Sequence, residues 1–242
     1  MLPDGLPAVY LQLMEDILYN KFEVIRFINH PVPSNSYVVY DKNSRKCIII
    51  DPGSKNPREI STYISENSLF LQYILLTHEH FDHMWGVKPL LNEFHPQLVC
   101  SKRCAQKISV PQNYYNLLYY NSEEYHHIDS VDIITEEVNN HLHSYPFDIY
   151  FINTPGHSSS SICIHIGNYL FTGDTIMNGF KPFIKKRHEG SIEEFQGSIE
   201  LIFNSFSPHV LVYPGHGESF TLGMVEAVSY THLRAHETVL DL

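Results

Sequence analysis

The chain has 242 residues, 43% of them hydrophobic and 18% charged, with 12 Gly and 14 Pro; these proportions exclude disordered, collagen-like and fibrous classes and suit one large domain or two small ones. Sixteen Lys and Arg against twenty-seven Asp and Glu leave a formal net charge of -11, which disfavours a nucleic-acid surface because phosphate binding draws on clustered cations. No apolar run approaches the roughly 20 residues that cross a bilayer and no basic-then-apolar leader opens the chain, so the expectation is a cytoplasmic protein with no membrane partner and four reduced cysteines.

In chain order, FEVIRFI and SYVVYD, a polar turn and then CIII ending at Asp51-Pro52-Gly53 predict paired strands. Residues 57–66 place Ile60, Tyr63 and Ile64 at helical spacing. YILLT at 73–77 reads as a buried strand that stops at His78-Glu79-His80-Phe81-Asp82-His83, so this stretch implies a βαβ unit. Residues 86–95 read as a short helix, with Trp85 anchoring its start, and QLVC at 97–100 as a strand. The segment 101–145, rich in Tyr, Asn and His, is expected to hold one or two helices among long loops. Within it most of Tyr114, Tyr115, Tyr119, Tyr120 and Tyr125 are expected in the core, with one at a pocket. His126, His127, His141 and His143 lack carboxylates at ligand spacing and are expected to be structural or exposed.

DIYFINT at 148–154, SICIHI at 161–166 and YLFTGD at 169–174 read as strands, the last two joined by a Gly167-Asn168 turn. Ser191 and Glu194 form a capping box ahead of a helix whose apolar face is Phe195, Ile199, Ile202, Phe203 and Phe206. HVLVYP at 209–214 is a last strand before Gly215-His216-Gly217. Residues 1–20 are read as an extension of unassigned origin and 228–242 as a non-native tail.

The sixteen histidines hold the chemistry. Asp51-Pro-Gly, the 78–83 string, Gly156-His157, Gly173-Asp174-Thr175 and Gly215-His216-Gly217 each follow an apolar strand-like run, which suits loops gathered at one rim of a sheet. In an extended stretch, side chains at i and i+2 point the same way. His78, His80 and Asp82 are therefore expected to converge while His83 turns toward a second point. Four such side chains in six positions are costly to bury unpaired, and nitrogen and carboxylate donors suit zinc-type divalent ions. Two ions are expected, the sets completed by His157 and His216, with Asp174 able to bridge through its two oxygens.

Taken together, Thr77-His-x-His-x-Asp-His83 and the later His157, Asp174 and His216 resemble the metallo-β-lactamase fold metallo-hydrolase superfamily, in style its glyoxalase II-like branch, over about Phe22 to Ser219. The resemblance implies an α/β fold: a four-layer αβ/βα sandwich of two mixed sheets with helices on the outer faces, filling 21–227. It implies that His78, His80 and His157 hold one metal, Asp82, His83 and His216 the other, and that Asp174 bridges them. Asp51 would lie outside both sets and fix the ligand loop by hydrogen bonds. The implied activity is hydrolysis of a small thioester, ester or lactone by a hydroxide between two divalent ions, Zn ahead of Fe or Mn. Asp82 and Asp174 are the catalytic carboxylates, Asp82 orienting the hydroxide or taking its proton. Rival readings are a mononuclear iron persulfide dioxygenase on the same fold and a non-catalytic metal-binding protein. The implied partner is a small-molecule substrate. Glyoxalase II enzymes carry a helical domain after the last histidine; few residues follow His216 here, so S-lactoylglutathione is not the expected substrate. Lys181, Lys185, Lys186, Arg187 and His188 read first as a solvated loop. As an electropositive lip for an anionic group, Lys185 and Arg187 would be its contacts.

Overall fold

In the computed structural model, which describes residues 21–179, 184 and 189–225, the strands form two six-stranded sheets. The first runs in the order β1 (Phe22–Ile28), β2 (Asn35–Asp41), β3 (Lys46–Ile50), β4 (Phe70–Leu75), β5 (Gln97–Cys100) and β6 (Ile133–Ile134). β1 to β3 are antiparallel and β3 to β6 parallel. The second sheet comprises β7 (His141–Ser144), β8 (Phe147–Asn153), β9 (Ile162–Ile166), β10 (Tyr169–Gly173), β11 (Leu211–Pro214) and β12 (Phe220–Thr221), each adjacent to the next in chain order. Its one parallel pair is β10 with β11.

Parallel neighbours need a crossover, and each crossover carries helix. Helix α1 (Arg58–Glu66) joins β3 to β4, and α2 (Phe81–Met84) with α3 (Val87–Phe94) joins β4 to β5. Helices α4 (Lys102–Ile108) and α5 (Tyr114–Tyr120) lie between β5 and β6, and α6 (Ile192–Ser205) between β10 and β11. The Ser191 hydroxyl caps α6 by accepting from the Glu194 amide at 3.3 Å.

Strand periodicity sorts the core into layers. Val38, Cys47 and Ile49 face the helices, against Ile60, Ile64 and Leu90. Tyr37, Val39, Ile48 and Ile50 face the opposite sheet, against Phe147, Ile149 and Phe171. On the outer side of the second sheet, Leu170 and Val212 meet Phe195, Ile199 and Ile202 of α6. The result is the expected αβ/βα sandwich, its central strands apolar on both faces because both are covered. The C-terminal ends of β3, β4, β8, β10 and β11 deliver residues 51–53, 77–83, 154–157, 173–175 and 215–217 to one rim. There the Ile162 amide donates to Thr77 O at 2.9 Å and the Gly215 amide to Gly173 O at 2.7 Å.

Three expectations change. The Tyr-rich segment is not core: Tyr114 is 60% and Tyr125 59% exposed, because α5 docks on one side only, with Tyr115 and Tyr119 stacked on Phe81, Tyr120 against Trp85 and Asn116 buried. His141 and His143 do have a companion carboxylate, supplied across the β7–β8 hairpin by Asp148 at 2.6 and 3.2 Å. The 78–83 string is extended only as far as His80, where α2 begins, so Asp82 leaves the direction of His78 and His80. The cysteines are buried and unbridged, and no helix among the described residues is long and apolar enough to cross a membrane. Residues 1–20, the 228–242 stretch, and Lys185 and Arg187 with their basic neighbours lie outside the described residues.

Candidate metal centre

The rim brings together the seven expected ligands, His78, His80, Asp82, His83, His157, Asp174 and His216, and Asp51. Among the described residues, potential ligand atoms fall into three groups: His78, His80, His157 and Asp174; Asp82, His83 and His216; and Asp51, His78 and His83. His80 Nδ1 and His157 Nε2 are 3.0 Å apart. Asp174 Oδ2 is 3.4 Å from His157 Nε2 and 3.6 Å from His216 Nε2, and its Oδ1 is 3.4 Å from His83 Nε2. Asp82 Oδ2 lies 3.4 Å from His216 Nε2 and 3.8 Å from His83 Nε2. Two donors about 2.0–2.1 Å from a shared tetrahedral ion sit about 3.3 Å from each other, so these spacings suit ligand edges. Asp174 reaches members of both larger sets.

The third group resolves differently, because the Asp51 carboxylate is already engaged. It accepts from the Thr77 amide at 2.8 Å and the Thr77 hydroxyl at 2.6 Å, and meets His83 Nδ1 at 3.0 Å. With its proton given to Asp51, the Thr77 hydroxyl accepts from His78 Nδ1 at 2.9 Å. His216 Nδ1 donates to Pro33 O at 3.1 Å. In all three rings the Nδ1 contact leaves Nε2 to face the centre, the arrangement that orients metal-binding imidazoles. Asp51 itself sits at φ 51°, a conformation uncommon outside glycine that Asp tolerates better than most residues.

Sequence reasoning missed the brace beneath this rim. Asn35 donates both amide hydrogens, to Pro214 O at 2.9 Å and Gly217 O at 2.8 Å, and its backbone N–H donates to Gly215 O at 2.7 Å. The Tyr37 hydroxyl adds a bond to Pro214 O at 2.6 Å. Ser34 donates to Asp82 O, and Ser36 to Asp51 O at 2.7 Å. The available signal was a polar run, Ser34-Asn35-Ser36, opening a strand that is buried along its whole length.

Electrostatics favour a cation here. Burial opposes ionisation of Asp174 and Asp82, yet the facing His83, with His157 and His216, holds Asp174 well below the usual carboxylate range and Asp82 below it. Burial likewise opposes charge on His83, but Asp174, Asp82 and Asp51 raise it to about 9. His216, between the same carboxylates, rises to about 10 against its burial. Burial, helped by neighbouring imidazoles, pushes His78 well below its ordinary value and His80 down to about 3. Nε2 of His78, Nε2 of His83 and Oδ1 of Asp174 are buried without a hydrogen-bond partner, a costly arrangement that divalent ions would relieve. The residues present fit such ions.

The pH dependence follows in sign. An ion binding at Nε2 of His83 and His216 displaces protons that these rings hold up to about 9 and about 10. Divalent-metal affinity should therefore rise with pH, by about tenfold per unit for each displaced proton, and level off above those values. Competition against a chromophoric chelator at several pH values measures this; an affinity flat between neutral pH and pH 9 would contradict it.

Comparison with known proteins agrees with this fold. The sequence model of the Metallo-beta-lactamase superfamily matches residues 30–216. Over 180 residues the chain is 32% identical to the probable polyketide biosynthesis zinc-dependent hydrolase PksB of Bacillus subtilis (strain 168), covering 74% of this chain and 71% of that protein. It is 29% identical over 183 residues to a hydroxyacylglutathione hydrolase of Klebsiella pneumoniae, covering 75% of this chain and 59% of that enzyme. The crystal structure of the B3 metallo-beta-lactamase BLEG-1 superposes with a TM-score of 0.69 at 22% identity, over 83% of this chain and 95% of that one, a likeness of fold. The match spans most of the sandwich and runs from before the first rim loop to His216, and on that ground the chain belongs to the metallo-beta-lactamase superfamily.

Proposed function

We propose that this chain is a dinuclear metal-dependent hydrolase of a small thioester, ester or lactone. The observation that carries the reading is Asp174, whose two oxygens reach His157 on one side and His83 and His216 on the other. His78, His80 and His157 would hold one ion and Asp82, His83 and His216 the second, with Asp174 shared; zinc suits the donor set best, ahead of iron or manganese. Bound divalent ions supply Lewis acidity toward the carbonyl and bring the pKa of a coordinated water down toward ~7. Asp82, ionised because His83 and His216 outweigh its burial, orients the attacking water and takes its proton. Asp51 and Thr77 keep the imidazoles of His83 and His78 turned inward throughout. Similarity to a probable zinc-dependent hydrolase and to a hydroxyacylglutathione hydrolase supports this class.

Elemental analysis of the purified protein, paired with a panel of thioesters, esters and lactones, tests it. The expected result is two divalent ions per chain and turnover that a chelator abolishes and added zinc restores. One iron per chain with oxygen uptake on a persulfide, or full turnover by H80A, would overturn it.

A further inference from the structure

A cavity of about 510 Å³ opens beside His80, within the ~300–1,000 Å³ range of small-molecule pockets. Its apolar walls include Phe81, Met84, Trp85, Ile108 and Tyr115. The wall and the candidate ligands come from one segment: Phe81 lies between His80 and Asp82, and its ring stacks on Tyr115 with centroids 3.8 Å apart. Trp85, one turn further along, meets the Phe81 ring edge-on at 5.2 Å. A group seated here is therefore held in fixed register with the centre.

The polar lining is matched internally. Lys107 Nζ lies 2.9 Å from Glu79 Oε1 and 3.1 Å from Glu189 Oε2. Glu79 also accepts from the hydroxyls of Ser158 and Ser160. Among the described residues lining the cavity, one lysine thus stands against two carboxylates. His126, lowered to about 4 chiefly by burial, adds no cation at neutral pH. The lysine is paired with both carboxylates, so among the described lining residues an anionic group finds no free side-chain cation.

We propose that this cavity is the acyl pocket, receiving an uncharged, apolar aliphatic or aryl acyl group while the carbonyl sits beside His80. The assignment rests on the hydrolase reading above, but the pocket can be probed without turnover. Trp85 is the sole tryptophan and lines the cavity, so its fluorescence reports occupancy.

The test uses N-acetylcysteamine thioesters, whose leaving group is small and neutral, with acetyl, butanoyl, hexanoyl, phenylacetyl and glutaryl acyl groups. In parallel, Trp85 emission is titrated with the non-hydrolysable S-hexyl thioether. The expected result is a kcat/KM that climbs roughly three- to fourfold per methylene, the worth of one buried CH₂, with glutaryl falling below butanoyl and the thioether shifting emission. V110F, which places a large ring on a cavity-lining, 55% exposed position without adding a second indole, should keep wild-type metal content and lose both the chain-length gain and the emission shift. Turnover with acetyl equal to or above hexanoyl and no emission shift would overturn the pocket while leaving the hydrolase reading intact. No turnover of any thioester, ester or lactone, with an emission shift that V110F abolishes, would support the apolar pocket and sink the hydrolase reading instead.

Discussion

Asp174→Asn should lower kcat by about a thousandfold, the several kcal/mol expected of Lewis-acid stabilisation, and reduce the bound metal below two ions per chain. The substitution preserves shape and hydrogen-bonding reach and removes one negative charge. That charge faces three imidazoles: His83 at 3.4 Å, His157 at 3.4 Å and His216 at 3.6 Å. The side chain is buried, so water cannot stand in for the lost carboxylate, and one of its two atoms becomes an NH₂ that cannot ligate. With fewer opposing carboxylates, the proton affinities of His83 and His216 fall from about 9 and about 10 toward ordinary histidine values, a shift visible by NMR titration before metal is added. A structural role alone would lower stability without changing metal stoichiometry. Unchanged kcat together with two bound ions would remove Asp174 as the shared group.

Much of this architecture is readable as text, and the exceptions have physical causes. Strands such as QLVC are apolar because both their faces are covered, and the Ser191–Glu194 cap is local, so both declare themselves within a few residues. The polar clusters at strand ends come to one rim because the strands preceding them point the same way. Helix α5 stays hidden because YYNLLYY has no polar face: Leu117 and Leu118 are exposed while Asn116 is buried, which inverts the usual period. The Asn35 brace is equally silent, since its partners Pro214 and Gly217 are backbone carbonyls nearly the whole domain away. Such a bond leaves no pairing in the text beyond a polar residue where a strand should begin. The helical turn at Phe81 is not legible from spacing, and it matters: it takes Asp82, which extended spacing would align with His78 and His80, to the side of His83 and His216.

Gly215→Ala should cut divalent-metal affinity by at least about a hundredfold, the scale on which ~1 Å misplacement of reacting groups acts, with the fold retained. A Cβ at this position would lie 2.2 Å from Asp174 Oδ1 and 2.8 Å from His83 Cε1, the two closest approaches, with the Gly173 backbone carbon next at 2.9 Å. Gly215 is not among the residues with positive φ, so alanine is conformationally acceptable and the effect is one of space alone. The loop cannot back away, because the Gly215 amide is bonded to Gly173 O and its carbonyl accepts from the Asn35 amide, both at 2.7 Å. The side chains must yield instead: the Asp174 carboxylate swings off both sets or the His83 ring loses its bond to Asp51. Gly53 offers the contrast, for a Cβ there would meet the Asp82 carbonyl oxygen at 1.6 Å. That obstacle is backbone, so Gly53→Ala should impair folding itself, whereas Gly215→Ala should yield folded protein with weakened metal binding. Circular dichroism and chelator competition on the two variants separate these outcomes. A Gly215→Ala protein that binds two ions with wild-type affinity would show that the absence of a side chain at 215 does not set the position of Asp174.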